Sequence, residues 1–199
     1  GVQTCALPIS NFVNGTITAL VSGNALTIAV KTLAGNDPSV NDPVYVAFRN
    51  STLATGNYVL NSITGALSVT IPSGQALGTQ SGNVPFKIWI VAIDNGGTVE
   101  LGVTNCLGVA TVNSITTPTQ VYALPEHTLI STTAIATAPN AGVIYSTTAR
   151  SSKAFRIVAY LEYSSGLTTA GTWVSTPTEI QLDRKSTRLN SSHIPLSRM

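Results

Sequence analysis

VPFKIWIVAIDNGGTVELGV, residues Val84–Val103, reads as two strands joined by a tight turn, and its first half decides the fold. A strand sends successive side chains to opposite faces, so Phe86, Ile88, Ile90 and Ala92 share one face while Lys87, Trp89, Val91 and Ile93 share the other. Both faces are mostly apolar, which predicts a central strand covered on two sides. Asp94, Asn95, Gly96 and Gly97 then tolerate the positive φ that a tight hairpin turn demands. In the return strand Val99, Leu101 and Val103 alternate with Thr98, Glu100 and Gly102. That is the pattern of one buried face, and it places the return strand nearer a surface.

Working outward, the same alternation recurs. Thr16 to Val21 and Ala25 to Thr32 flank Ser22, Gly23 and Asn24 as a hairpin, with Leu26, Ile28 and Val30 as its apolar face. AGNDPSVNDP, residues 34–43, is a loop of Asx turns and prolines, and VYVAFR, residues 44–49, is the next strand. Asn57 to Thr64 and Ala66 to Ile71 are expected to form a second hairpin broken at Gly65; GALSVTI there echoes NALTIAV at residues 24–30, through duplication or shared strand composition. Residues 107–142, punctuated by Pro118, Pro125 and Pro139, read as a long excursion or a set of edge strands, and residues 107–148 have no assigned role. In AFRIVAYLEY, residues 154–163, Phe155, Ile157, Ala159, Leu161 and Tyr163 face in, with Arg156 and Glu162 facing out. A final strand, TWVSTPTEIQL, is interrupted by Pro177. No stretch of helical length carries a 3.6-residue period, and turns recur every ~8–12 residues. The expected fold is all-β, an antiparallel sandwich or jelly-roll-like domain.

The two ends stand apart. GVQTCALPI at residues 1–9 and DRKSTRLNSSH at residues 183–193 back-translate to one DNA word read on opposite strands, apart from its last bases. Both resemble translations of a sequencing-library adapter. Residues 1–10 and 183–199 are therefore expected to be adapter-derived, the second without order, around a single domain at residues 11–182. The whole chain carries +2, but Arg184, Lys185, Arg188 and Arg198 against Asp183 give the tail +3 and leave −1 for the rest. The cationic excess lies outside the expected domain, which argues against a nucleic-acid partner. Charged residues are only 9 % of the chain, against about 25 % in ordinary domains. Ser, Thr, Gly and Asn fill the polar positions instead. No apolar run approaches the ~18–20 residues of a membrane helix, so helical insertion is not expected.

Candidate chemistry is sparse. His127, after Glu126, would need a nucleophile on a strained turn beside it to act in hydrolysis, and no GxSxG is present; a loop histidine is the commoner explanation. Cys106, the one cysteine of the expected domain, reads as a small hydrophobe ending a strand or as a thiolate partner of His127. Asn36, Asp37, Asn41 and Asp42 gather oxygens of the kind calcium prefers, and Asx turns beside Pro38 and Pro43 account for the same residues. Asn14-Gly15-Thr16 and Asn50-Ser51-Thr52 match the glycosylation pattern. No catalytic, cofactor-binding or metal-binding residue is assigned. Of the tryptophans, Trp89 is expected in the core and Trp173, after Gly171, on the surface, where its ring could stack on a sugar. Trp173 is the one ligand-stacking candidate.

NALTIAVKTLAGNDPSVNDPVYVAFRN (residues 24–50), FKIWIVAIDNGGTVELGV (86–103) and AFRIVAYLEYSSGLTTAGTWVSTPTEIQL (154–182) together resemble a group of bacteriophage and prophage virion proteins, often described as tail-fibre-like. The resemblance implies a non-enzymatic structural component of the virion, a homo-oligomer with the trimer as one form, in contact with other virion proteins or host-surface glycan. The same residues also fit a secreted bacterial β-sandwich that binds carbohydrate or mediates adhesion. An enzyme, the third class, would depend on His127.

Overall fold

The computed structural model describes residues 11–49, 58–105, 107–112, 115–121, 126 and 128–183. The expectations for residues 1–10 and 184–199, for Asn50 and for Cys106 and His127 lie outside the described residues. In chain order the strands are β1 (Phe12–Val13), β2 (Gly15–Ser22), β3 (Ala25–Thr32), β4 (Val44–Arg49), β5 (Tyr58–Ile63), β6 (Leu67–Ile71), β7 (Phe86–Asn95) and β8 (Thr98–Asn105). They continue with β9 (Leu107–Val112), β10 (Ile115–Val121), β11 (Thr133–Ala134), β12 (Tyr145–Ser146), β13 (Phe155–Tyr163) and β14 (Glu179–Leu182); a 3-10 turn at Ile135–Thr137 lies between β11 and β12.

One layer is a six-stranded sheet in the order β11-β12-β8-β7-β13-β14, antiparallel except for the β11–β12 pair. Two antiparallel three-stranded sheets, β1-β4-β5 and β2-β3-β6, face it, with β4 against β13, β5 and β6 against β8, and β2 against β14. β9 and β10 pair as a separate hairpin. The fold is an all-β sandwich, as the alternation predicts. Its core joins Phe86, Ile88, Ile90 and Ala92 of β7 to Leu26, Ile28 and Val30 of β3 and Val44, Val46 and Phe48 of β4. Burial of these strands' apolar faces is the main driving force for the layering.

Turn chemistry accounts for the two tight hairpins. Ser22 pairs with Ala25 across Gly23 and Asn24 (φ 56° and 60°), and Asn95 pairs with Thr98 across Gly96 and Gly97 (φ 63° and 93°). Two successive positive φ values match the right-handed strand twist. Asn14 (φ 58°) turns the chain from β1 in one small sheet to β2 in the other. Its side-chain amide donates to Asp42 Oδ1 (2.7 Å) and to the Pro43 carbonyl (3.0 Å), so the nitrogen a glycan would need is engaged.

β7 is central, and its two faces enter two different apolar clusters. Opposite the main core, Val91 and Ile93 pack with Phe155, Ile130 and Ile144, flanked by Ile157. Ile130 and Ile144, from the excursion that the sequence leaves without a role, therefore cover the sheet's outer face at Val91 and Ile93. For the same reason β8 is not nearer a surface: it pairs with β7 and β12, and Leu101 through Asn105 are all buried. Gly102 is needed there, because a Cβ would lie 2.9 Å from Val91 Cγ2 and 3.1 Å from the Tyr145 carbonyl oxygen.

Two further expectations are corrected. β5 and β6 do not form a hairpin: β5 pairs with β4 and β6 with β3, so Thr64–Gly65–Ala66 crosses from one small sheet to the other. The echoed segments are thus neighbours, with Leu26 opposite Ile71 and Ile28 opposite Val69. Secondly, β13 does not keep one inward face. Its register against β7 shifts between Ile157 and Ala159, leaving Val158 as an extra residue. A bulge of one residue exchanges the faces on either side of it. Phe155 and Ile157 accordingly join the outer cluster while Ala159, Leu161 and Tyr163 join the main core. Arg156, expected outside, is 3 % exposed and buried beside β4.

Candidate functional site

Trp173, the expected stacking residue, is not on the surface; its exposure is 0 %. Its ring lies 6.0 Å from Phe86 and 5.9 Å from Tyr163, both near edge-on, and its indole N–H donates to the Gln75 carbonyl at 3.0 Å. An indole whose N–H has a partner can be buried without penalty, and the Trp173 backbone N–H also donates to the Asn24 carbonyl; residues 172–178 form an irregular loop, so the final strand expected from Thr172 begins only at Glu179. The chain around Trp173 is a loop, with Val174 58 % exposed, yet the Trp173 side chain turns inward.

Both carboxylates of the oxygen-rich loop are engaged in internal contacts. Lys31 Nζ meets Asp37 Oδ1 at 2.6 Å, and Asp42 accepts from Asn14. Among the described residues no three His, Cys, Asp or Glu side chains converge as metal ligands would. Glu126 is drawn into the fold by Arg156 Nη1 and by the Ile157 N–H at 2.8 Å.

The other half of the six-stranded sheet's outer face brings together polar and aromatic side chains that are partly exposed. Trp89, expected in the core, is half-buried there, directly opposite Tyr160 across β7 and β13, and Tyr160 is opposite Gln181 of β14. The Trp89 and Tyr160 rings are 5.8 Å apart at 40°. The Tyr160 hydroxyl donates to Gln181 Oε1, and Gln181 Nε2 donates to Glu179 Oε1 at 2.6 Å. The next row aligns Lys87, Glu162 and Glu179. Lys87 Nζ is 3.1 Å from Glu162 Oε2 and 4.9 Å from the Tyr160 ring centre. The hydrogen bond with Glu162 raises the Lys87 pKa above its ordinary 10.5, so the ammonium is charged throughout the neutral range. Two aromatic rings are thereby framed by one cation, two carboxylates and an amide. Alternation puts Trp89 and Tyr160 on this face, but their side-by-side register depends on the bulge at Val158.

Around the β8 end of the sandwich lie two clefts of about 350 and 200 Å³ that share Leu67. The smaller is bounded by Glu100 and Arg150. Arg150 Nε and Nη2 donate to Glu100 Oε2 (2.7 Å) and Oε1 (2.6 Å), and Asn95 Nδ2 adds a bond at 3.0 Å. The Arg150 backbone N–H donates to Thr132 Oγ1, which is 2.5 Å from Ser146 Oγ. This network clamps the covering excursion onto β8. The bidentate bond from Arg150 holds the Glu100 carboxyl below its ordinary 4.5, against a smaller opposing effect of burial. Its stabilisation is present above about pH 4.5 and is lost as pH falls through the depressed folded value. Glu100→Gln is expected to cost about 1 kcal/mol at neutral pH. Urea titrations across pH should show that difference shrinking below pH 4.5; a difference independent of pH would remove the clamp.

Compared with family models, with curated proteins and with solved structures, the chain finds no match.

Proposed function

We propose that this chain is a non-enzymatic structural or tail-fibre-associated module of a bacteriophage particle, assembling with copies of itself and acting through protein or host-surface contacts. The observation that carries the assembly reading is the start of β5. Tyr58, Val59 and Leu60 are 62 %, 42 % and 60 % exposed, three consecutive large apolar residues on a strand that pairs, among the described residues, with β4 alone. Exposed apolar edge strands invite pairing with another chain, and natural proteins cover, charge or shorten them. Here no charge interrupts the run, which supports a partner copy as its cover. The phage setting rests on the resemblance of residues 24–50, 86–103 and 154–182.

Light scattering coupled to size exclusion tests the assembly. A trimer mass is expected, with dissociation on Leu60→Lys; a monomer at every concentration would overturn self-assembly and favour a secreted or cell-surface module that binds carbohydrate or mediates adhesion. That second reading is supported by the partly exposed Trp89–Tyr160 pair on the outer sheet face.

A further inference from the structure

We infer that the partly exposed outer-face patch of the six-stranded sheet formed by Trp89 and Tyr160 binds a soluble, uncharged oligosaccharide. This deepens the host-surface part of the proposed function and rests on it for its setting. A sugar ring presents a patch of C–H groups on each face and hydroxyls around its rim. It is matched by an aromatic ring bordered by fixed donors and acceptors. The sheet supplies both in adjacent rows: two rings 5.8 Å apart, with Gln181 and Glu179 beside one and the Lys87–Glu162 pair across it. The polar groups are held by one another, so little side-chain freedom is lost on binding.

The charges discriminate among ligand classes. Glu162 and Glu179 against Lys87 leave the face with one net negative charge, which disfavours nucleic acid and acidic polysaccharides. A protein interface centred here would have to desolvate these charges, whereas interface cores are depleted of them. A sugar's hydroxyls can instead satisfy carboxylate and ammonium alike. The rings' 40° tilt also departs from a flat plane, which suits a twisted soluble chain and not the flat face of a crystalline polymer.

The test is to titrate the full chain with soluble oligomers of glucose, mannose, galactose and N-acetylglucosamine while following tryptophan emission. The chain has two tryptophans, and with Trp173 fully buried the ligand response comes from Trp89. One or more of these oligomers is expected to shift the emission saturably, and Trp89→Ala and Tyr160→Ala should each weaken binding by about tenfold or more in calorimetry. Trp173 emission and an unchanged unfolding midpoint report that each variant is folded. Absence of binding by all four oligomers, or binding that survives both substitutions together, overturns the assignment. Adsorption to cells that survives periodate oxidation of their glycans makes this a protein-binding face, which also overturns it. A trimer that fails the sugar titration leaves the assembly reading standing, so the two fail separately.

Discussion

Arg156→Ala is expected to lower the stability of the fold by about 3–5 kcal/mol, the usual loss when one partner of a buried ion pair is removed. The guanidinium is 3 % exposed, donates from Nε to the Ala47 carbonyl at 2.9 Å and from Nη1 to Glu126 Oε2, and lies 5.8 Å from the Tyr58 ring centre. It therefore joins β13, β4, β5 and the segment carrying Glu126. Truncation would strand a Glu126 carboxylate that is only 17 % exposed and leave the Ala47 carbonyl without this donor. The pair itself need not be strongly stabilising. In Arg156→Met with Glu126→Gln, the methionine fills the space and the amide oxygen can still accept the Ile157 N–H, so most of the loss should be recovered. Guanidinium denaturation of parent, single and double variants measures this directly. A single variant that loses under 1 kcal/mol would show that the buried charge is not what holds these elements. Because the group is buried, the loss should change little with added salt when urea is the denaturant.

The same residue shows where sequence reading stops. Alternation through Phe155, Ile157, Ala159, Leu161 and Tyr163 is unbroken in the letters, and apolar side chains are wanted on both faces of this sheet. The one-residue shift at Val158 is therefore silent in the pattern. The central place of β7 could be read correctly because the apolar character of both its faces is local to its own residues. The two glycine-bearing hairpin turns were legible for the same reason, since positive φ is a property of the turn itself. The choice of partner was not: Gly65 looks like a hairpin turn, yet β5 and β6 join different sheets. Nothing within that segment distinguishes a chain that returns along its neighbour from one that crosses the sandwich. The candidate site was half legible. Tyr160 falls outward by alternation alone, whereas Trp89 looked like core because Val91 and Ile93, which share its face, are core. What separates them is the packing of Ile130 and Ile144 against Val91 and Ile93.

Trp173→Ala is expected to cost about 3–5 kcal/mol, as for other fully buried aromatic side chains cut back to a methyl. Three effects act together at the end of the sandwich. The indole is packed against Phe86 and Tyr163, themselves stacked at 4.6 Å, so its removal opens a cavity beside the largest aromatic cluster of the core. The Gln75 carbonyl loses the indole N–H, and this loop also carries Gln75 Oε1 to the Ala138 N–H at 2.7 Å. Loosening at Gln75 therefore spreads to the excursion that covers the outer face. Trp173→Phe separates volume from hydrogen bonding, because a phenyl ring refills part of the space but donates nothing, and about 1–3 kcal/mol of loss should persist. Urea unfolding is the measurement, with an unchanged m-value required so that the shift in midpoint reports stability and not a change in compactness. A surface indole would behave differently: both substitutions would then stay within about 0.5 kcal/mol of the parent. That outcome would return Trp173 to the surface and take with it the closure of this end of the core.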